Sequence, residues 1–119
     1  MPEPAWQPAT PAVDAASLPR LLRTHRVVVL HFWAAWNAHD RAMDETLRRV
    51  SPDFAGKVEF RAMDTESPAN WAFILQQKGI VNLPALALYV KGIRADVLVG
   101  LRSRRDVRVW IEDLLEKVG

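Results

Sequence analysis

Apolar side chains recur along the chain with two different spacings, and each spacing predicts a different element. Residues 27–33 form an unbroken β-branched and aromatic run, which is typical of a central strand covered on both faces. Residues 39–54 place apolar side chains at helical intervals, and we expect the charged residues between them, Asp44 included, to face water. The apolar stripe of that helix comprises Met43, Leu47, Val50 and Phe54. A buried strand followed by an amphipathic helix is therefore predicted.

The rest of the pattern predicts three more helices and three more strands. Helices are expected over residues 14–26, 67–79 and 103–118, each with a serine placed to cap its first turn (Ser17, Ser67 and Ser103). Strands are expected over residues 58–63, 85–90 and 93–99, the last two joined as a hairpin by Lys91-Gly92. Trp71 and Trp110 take positions expected of core or boundary residues. The order predicts an α/β three-layer sandwich, a mixed sheet with helices on both faces.

Prolines mark the beginning of the chain as a separate segment. Pro2, Pro4, Pro8 and Pro11 remove backbone donors and disfavour helix, so residues 1–12 are interpreted as an extended arm or an irregular edge segment. Residues 13–119 are predicted to form one domain, of a size that can bury a core without a disulfide or a metal.

Composition narrows the possible chemistry. The 119 residues include no cysteine, which excludes disulfides, thiolate nucleophiles and iron–sulfur ligation within this chain. Three dispersed histidines lack metal-site spacing, so no metal or cofactor is predicted. The net charge of +2 is too small to indicate a nucleic-acid or membrane partner. With no apolar run of membrane-spanning length and no visible secretory leader, we expect a cytoplasmic location.

Short motifs at the junctions between the predicted elements resemble those of a known protein family. The run Phe32-Trp33-Ala34-Ala35-Trp36 lies where a strand leads into a helix, Leu83-Pro84 precedes the strand at 85–90, and Gly92 and Gly100 follow. In this order and spacing, the set resembles the thioredoxin family over residues 13–118. The resemblance implies the thioredoxin fold, with a cis-proline at Pro84.

The same resemblance shows where the chain departs from its family. Asn37, Ala38, His39 and Asp40 stand where thioredoxins have Cys-Gly-Pro-Cys. His31 takes the place of a buried acid, and Phe60 takes the place of a lysine that commonly pairs with that acid. Since reduction of a disulfide needs a thiolate and a second, resolving thiol, we expect no redox activity and assign no catalytic residue.

The degenerate motif permits two interpretations besides a new hydrolytic or metal site. Asn37 or Asp40 can simply cap the helix and complement its dipole. Alternatively, the motif belongs to a binding groove, which the resemblance places at Trp36, Asn37, His39, Leu83, Pro84 and Gly100. Trp36 is expected to be exposed, as an interface anchor. His31, amid apolar residues, is interpreted as a neutral, hydrogen-bonded core residue, with a pH-sensing role as the alternative.

The sequence leaves several hypotheses for the function of the protein open, and they belong to different classes. The leading one is a redox-inactive adaptor that binds a protein or an extended peptide in this groove. A second is a thiol-independent enzyme, hydrolytic or metal-assisted, built on His39 and Asp40. A third is a structural or chaperone-like subunit that associates through the arginine-rich final third or the proline-rich arm. Family analogy adds a role in cell redox homeostasis, which the residues present do not support.

Overall fold

The computed structural model describes residues 6–80 and 82–118. Four helices and four strands follow the predicted order. The helices are α1 (Leu18–Thr24), α2 (Ala38–Val50), α3 (Trp71–Leu75) and α4 (Arg104–Val118). The strands are β1 (Val27–Trp33), β2 (Glu59–Asp64), β3 (Ala85–Val90) and β4 (Ile93–Val99). Short 3-10 helices cover Ser51–Phe54 and Pro68–Asn70. No helix within these described residues is both long and apolar enough to cross a membrane.

The four strands form one mixed sheet in the order β2-β1-β3-β4. β1 runs parallel to β2 and antiparallel to β3, and β3 pairs antiparallel with β4 across the Lys91-Gly92 turn. The ladder between β3 and β4 shifts register at Leu88/Tyr89. The predicted mixed sheet is thereby confirmed.

β1 is the middle of the molecule, and all seven of its residues are buried. Because side chains alternate across a strand, β1 feeds both layers of the core. Val27 and Val29 pack with Met43 and Leu47 of α2 and with Ile111 of α4. On the opposite face, Val28, Leu30 and Phe32 pack with Leu18 of α1, Met63 of β2 and Tyr89 of β3. The three-layer sandwich predicted from the sequence is confirmed.

Two helices are shorter than expected. α1 begins at Leu18 rather than near residue 14, because the Asp14 carboxylate accepts hydrogen bonds from the Ser17 N–H and hydroxyl and holds a turn there. These bonds lower the pKa of Asp14. α3 spans only Trp71–Leu75, and Ser67 makes no side-chain cap at the 3-10 helix before it. Trp71 and Leu75 are exposed, so the core or boundary position expected for Trp71 was wrong.

The ends of the other two helices follow the sequence more closely. α2 stops at Val50, and Pro52 lies in the 3-10 helix that follows it, as a helix-breaking proline requires. In α4 the Ser103 hydroxyl accepts the Asp106 N–H at 3.1 Å, which confirms the predicted cap.

The described part of the arm lies against the edge of the sheet. Ala12 forms a parallel bridge with Ala62 of β2. The Val13 N–H donates to the Ala62 carbonyl at 2.9 Å, and the Ala62 N–H donates to the Pro11 carbonyl at 2.8 Å. The first five residues of the predicted arm, with Pro2 and Pro4, lie outside the described residues, and the division at residue 12 stays a prediction.

Asp44 corrects a sequence-based expectation. It does not face water; its side chain is buried, and its two carboxylate oxygens accept the N–H groups of Ala9 at 2.9 Å and Thr10 at 3.2 Å. Arg48, which lies four residues after Asp44 on α2, pairs with Glu45. The expectation failed because helical periodicity does not reveal that the arm crosses this face of α2.

Candidate functional site

The candidate site begins where β1 ends and α2 starts. Asn37 is the N-cap of α2: its Oδ1 accepts the His39 N–H at 2.9 Å. Its Nδ2 donates to the Leu83 carbonyl at 3.4 Å, a long hydrogen bond that joins the helix start to the segment before β3. The predicted capping role of Asn37 is thus observed, and the same side chain also bridges two elements of the predicted groove.

The opposite wall is formed by Leu83 and Pro84, joined by a cis peptide bond. The Pro84 carbonyl accepts the Gly100 N–H at 2.8 Å, which ties the wall to the end of β4. Gly100 has φ +97°, a left-handed backbone conformation that side-chain-bearing residues rarely adopt. The chain therefore places Leu83, Pro84 and Gly100 together next to Asn37.

The exposure of these residues distinguishes the side chains that a partner could contact from those that are buried beneath them. Trp36 is 71% exposed, and His39 is exposed beside it on the first turn of α2. Leu83 is half-buried, whereas Pro84 is buried and contributes its backbone rather than a surface. The accessible side chains of the groove are thus those of Trp36, Asn37, His39 and Leu83.

Both backbone hydrogen-bonding groups of Leu83 have partners inside the chain. Its N–H donates to Oδ1 of Asn82 at 2.9 Å, and its carbonyl accepts Nδ2 of Asn37. A carbonyl oxygen has a second lone pair, so the Leu83 carbonyl can accept a further bond, whereas its single N–H is already used. An extended chain that pairs here would have to displace the Asn82 side chain.

Beneath the loop lies a buried polar pair that sequence reasoning missed. Nε2 of His31 and Oδ1 of Asp40 are 3.1 Å apart, and both side chains are fully buried. The other carboxylate oxygen of Asp40 accepts the Ala34 N–H at 2.9 Å. Asp40 thereby links the strand, the loop and the helix start. The one available signal was that two departures from the family pattern, His31 and Asp40, fall on adjoining elements.

This arrangement keeps Asp40 from acting as a surface group. His39 is exposed while Asp40 is buried and bonded to His31 and Ala34, so the adjacent pair does not converge on one substrate position. The remaining ring nitrogen of His31, Nδ1, has no hydrogen-bond partner among the described residues. No group of three or more histidine or acidic side chains in residues 6–80 and 82–118 is arranged to hold a metal ion.

The arm supports the site from the side of α2. Trp6 packs edge-on against Trp33 with ring centroids 5.4 Å apart, and the Arg41 guanidinium lies 5.7 Å from the Trp6 ring centroid. An arginine over a tryptophan face is a favourable cation–π geometry. Together with the bonds of Asp44, these contacts fix the described part of the arm against the first turns of α2.

Comparison with known proteins agrees with this architecture. The family model described as Thioredoxin matches residues 11–113. A thioredoxin from Synechocystis sp. is 32% identical over 108 residues, which is 90% of this chain and 98% of that protein. A chloroplastic M-type thioredoxin from Brassica napus is 25% identical over 97 residues. The chain covers about half (52%) of that plant protein. A solved structure of a mutant thioredoxin from Halobacterium salinarum NRC-1 superposes with a TM-score of 0.75 at 17% identity, over 91% of this chain and 94% of that one.

A mixed sheet between two helical layers, with a cis-proline beside the first turn of the helix after β1, defines a thioredoxin-fold domain. The chain belongs to the thioredoxin family. Within the family it is a member without cysteine, and Asn37 and Asp40 occupy the two thiol positions. Without a thiolate, this chain has no attacking group for thiol–disulfide exchange.

Proposed function

We propose that the protein is a redox-inactive thioredoxin-like adaptor that binds an extended segment of a protein partner at the groove of Trp36, Asn37, His39 and Leu83. The observation that carries the proposal is the exposure of Trp36, 71%, on a loop that buried hydrogen bonds hold in place. A large aromatic side chain on a rigid support is the usual centre of a protein interface.

The internal contacts of the site support binding rather than catalysis. Asn37 and Asp40, which replace the thiols, are both used in structural hydrogen bonds, one to the Leu83 carbonyl and one to His31 and Ala34. The wall next to the cis peptide bond is tied to β4 through Gly100. The site is therefore ordered before a partner arrives, which reduces the entropic cost of binding.

A selection of displayed random linear peptides on the wild-type protein tests the proposal. Selected peptides are then measured by calorimetry against wild type, Trp36→Ala and Trp71→Ala. Trp71 is a matched control, because it is also an exposed tryptophan (53%) but lies on α3. We expect the first variant to weaken binding at least about tenfold, and the control to change it less than about twofold.

Two results would contradict the proposal. One is a set of selected peptides that bind Trp36→Ala as tightly as wild type. The other is failure to select any peptide whose binding shifts the amide resonances of residues 36–39 and 83. The class of partner, a protein or an extended peptide, and the cytoplasmic location also belong to the proposal, and each stays a prediction.

A further inference from the structure

A second concave surface lies away from the groove, between α1, α3 and the β3–β4 turn. It is an open cavity of about 790 Å³, within the range of about 300–1,000 Å³ typical of small-molecule sites. Its floor is apolar and includes Leu18, Leu22 and Phe73. Leu18 and Leu22 lie one turn apart on α1, about 6 Å along its axis, so they give an alkyl chain a continuous apolar strip beside Phe73.

The rim of the cavity carries only basic ionisable side chains. Arg23, His25, Arg26 and Lys91 line it, and no aspartate or glutamate does. Arg26 donates to the Val118 carbonyl, and His25 approaches Glu59 at 3.7 Å. Arg23 and Lys91 make no ion pair within residues 6–80 and 82–118, so both cations remain available to a ligand.

Lys91 takes a backbone conformation that its residue type disfavours. It has φ +51° and precedes Gly92 at φ +82°, so both central residues of the hairpin turn are left-handed. Such turns strongly favour asparagine, aspartate or glycine at the first position. A lysine there does not optimise the turn, but it does place a cation at the mouth of the cavity.

We propose that this cavity binds a small amphipathic carboxylate, with its alkyl chain on Leu18, Leu22 and Phe73 and its carboxylate at Arg23 and Lys91. The two parts of the site match the two parts of such a ligand. An apolar floor favours burial of the chain, and the cations of Arg23 and Lys91 favour an anionic head group over a neutral or cationic one.

Three probes with the same ten-carbon chain test the charge preference: decanoate, decanol and decyltrimethylammonium. Each is titrated at pH 7.5 into the full chain, with amide resonances as the readout. We expect saturable binding of decanoate with a dissociation constant below about 1 mM. The shifts should centre on residues 18–26, 73 and 91–92, and the other two probes should bind at least about tenfold more weakly.

Two substitutions test the rim without disturbing the fold. Lys91→Asn removes the charge and supplies a residue that the left-handed turn favours, and Arg23→Gln changes an exposed helical position. The double variant should weaken decanoate binding at least about tenfold, whereas Arg20→Gln on the same helix and Trp36→Ala should change it less than about twofold. The proposal is overturned by the absence of saturable binding, by equal affinity for all three probes, by shifts centred elsewhere, or by an equal loss in Arg20→Gln.

Discussion

Nε2 of His31 and Oδ1 of Asp40, which lie nine residues apart in the chain, meet at 3.1 Å beneath the loop that carries Trp36. The resemblance given by the sequence motifs matches Asp40 to the second thiol of the family and His31 to its buried acid. The buried polar interaction therefore joins β1 to the first turn of α2 directly. Neither side chain reaches solvent, and Asp40 also accepts the Ala34 N–H, so the buried pair holds the loop of Trp36 from beneath.

Asp40→Ala should lower the free energy of unfolding by about 2–4 kcal/mol, since it leaves His31 Nε2 and the Ala34 N–H buried without a hydrogen-bond partner. Asp40→Asn should cost clearly less, because its Oδ1 can still accept from Ala34 and its amide can still pair with the His31 ring. Urea denaturation of the two variants measures the difference. Equal losses would show that the hydrogen-bonding capacity of residue 40 is unimportant.

Asp44→Ala should release the arm. It removes the acceptor for the N–H groups of Ala9 and Thr10, and we expect a loss of about 2–3 kcal/mol in the free energy of unfolding. Hydrogen exchange at those two amides should accelerate. Glu45→Ala is the control, because Glu45 makes only exposed pairs with Arg48 and Arg49 and should cost less than about 1 kcal/mol. Unchanged hydrogen exchange at Ala9 and Thr10 in Asp44→Ala would show that Asp44 does not hold the arm on α2.

Asn37→Ala should cost about 1 kcal/mol of stability, because the first turn of α2 loses its cap. Asn37→Ser keeps a capping oxygen and should recover most of that loss, but its shorter side chain does not reach the Leu83 carbonyl, which Asn37 itself reaches only at 3.4 Å. The Leu83 and Pro84 resonances should therefore shift in both variants, while stability falls mainly in the first. Matching losses in thermal or urea unfolding would assign the stabilisation to the Leu83 contact instead.

Tyr89, the single tyrosine of the chain, gives a prediction in alkaline solution. Burial raises the pKa of its hydroxyl, an effect that the nearby charge of Arg94 partly offsets. The raised pKa means that this group's contribution to stability is complete below the unfolded value of about 10 and is lost as the pH rises through the folded pKa. Phenolate absorbance should therefore rise at a higher pH in folded than in unfolded protein.

Tyr89→Phe isolates that contribution. The Tyr89 hydroxyl has no partner among the described residues, so its removal should raise the free energy of unfolding by about 1 kcal/mol at neutral pH. The variant should also lose less stability between pH 9 and pH 11, because the part of the loss that comes from the raised pKa of Tyr89 is removed. A Tyr89→Phe protein with the same alkaline decline as wild type would assign that decline to other groups.

The elements that the sequence predicted well are those whose pattern is local. The unbroken run of β1 and the helical spacing of the stripe from Met43 to Val50 are both visible in the sequence alone. Gly100 and Pro84 were placed by resemblance to a family, and their backbone contact at 2.8 Å was not visible in either residue.

What the sequence did not predict depends on contacts between distant segments. Asp44 had the spacing of a surface residue, and only the path of the arm makes it a buried acceptor. Asp40 was weighed as a cap or as a partner of His39, because its contact with His31 arises from the turn between β1 and α2. Trp71 was expected at a core or boundary position on a longer α3, and a helix of five residues leaves it exposed.

The bridge between Ala12 and Ala62 bears on whether copies of this chain can associate through the edge of the sheet. On the outer side of β2, the backbone groups of Ala62 are paired with Pro11 and Val13, whereas an unpaired edge strand is a template for pairing with another chain. At the opposite edge of the sheet, β4 carries the charged residues Arg94 and Asp96, which disfavour such pairing. We therefore expect the arm, by pairing with β2 at Ala62, to make edge-to-edge association between copies of this chain less favourable.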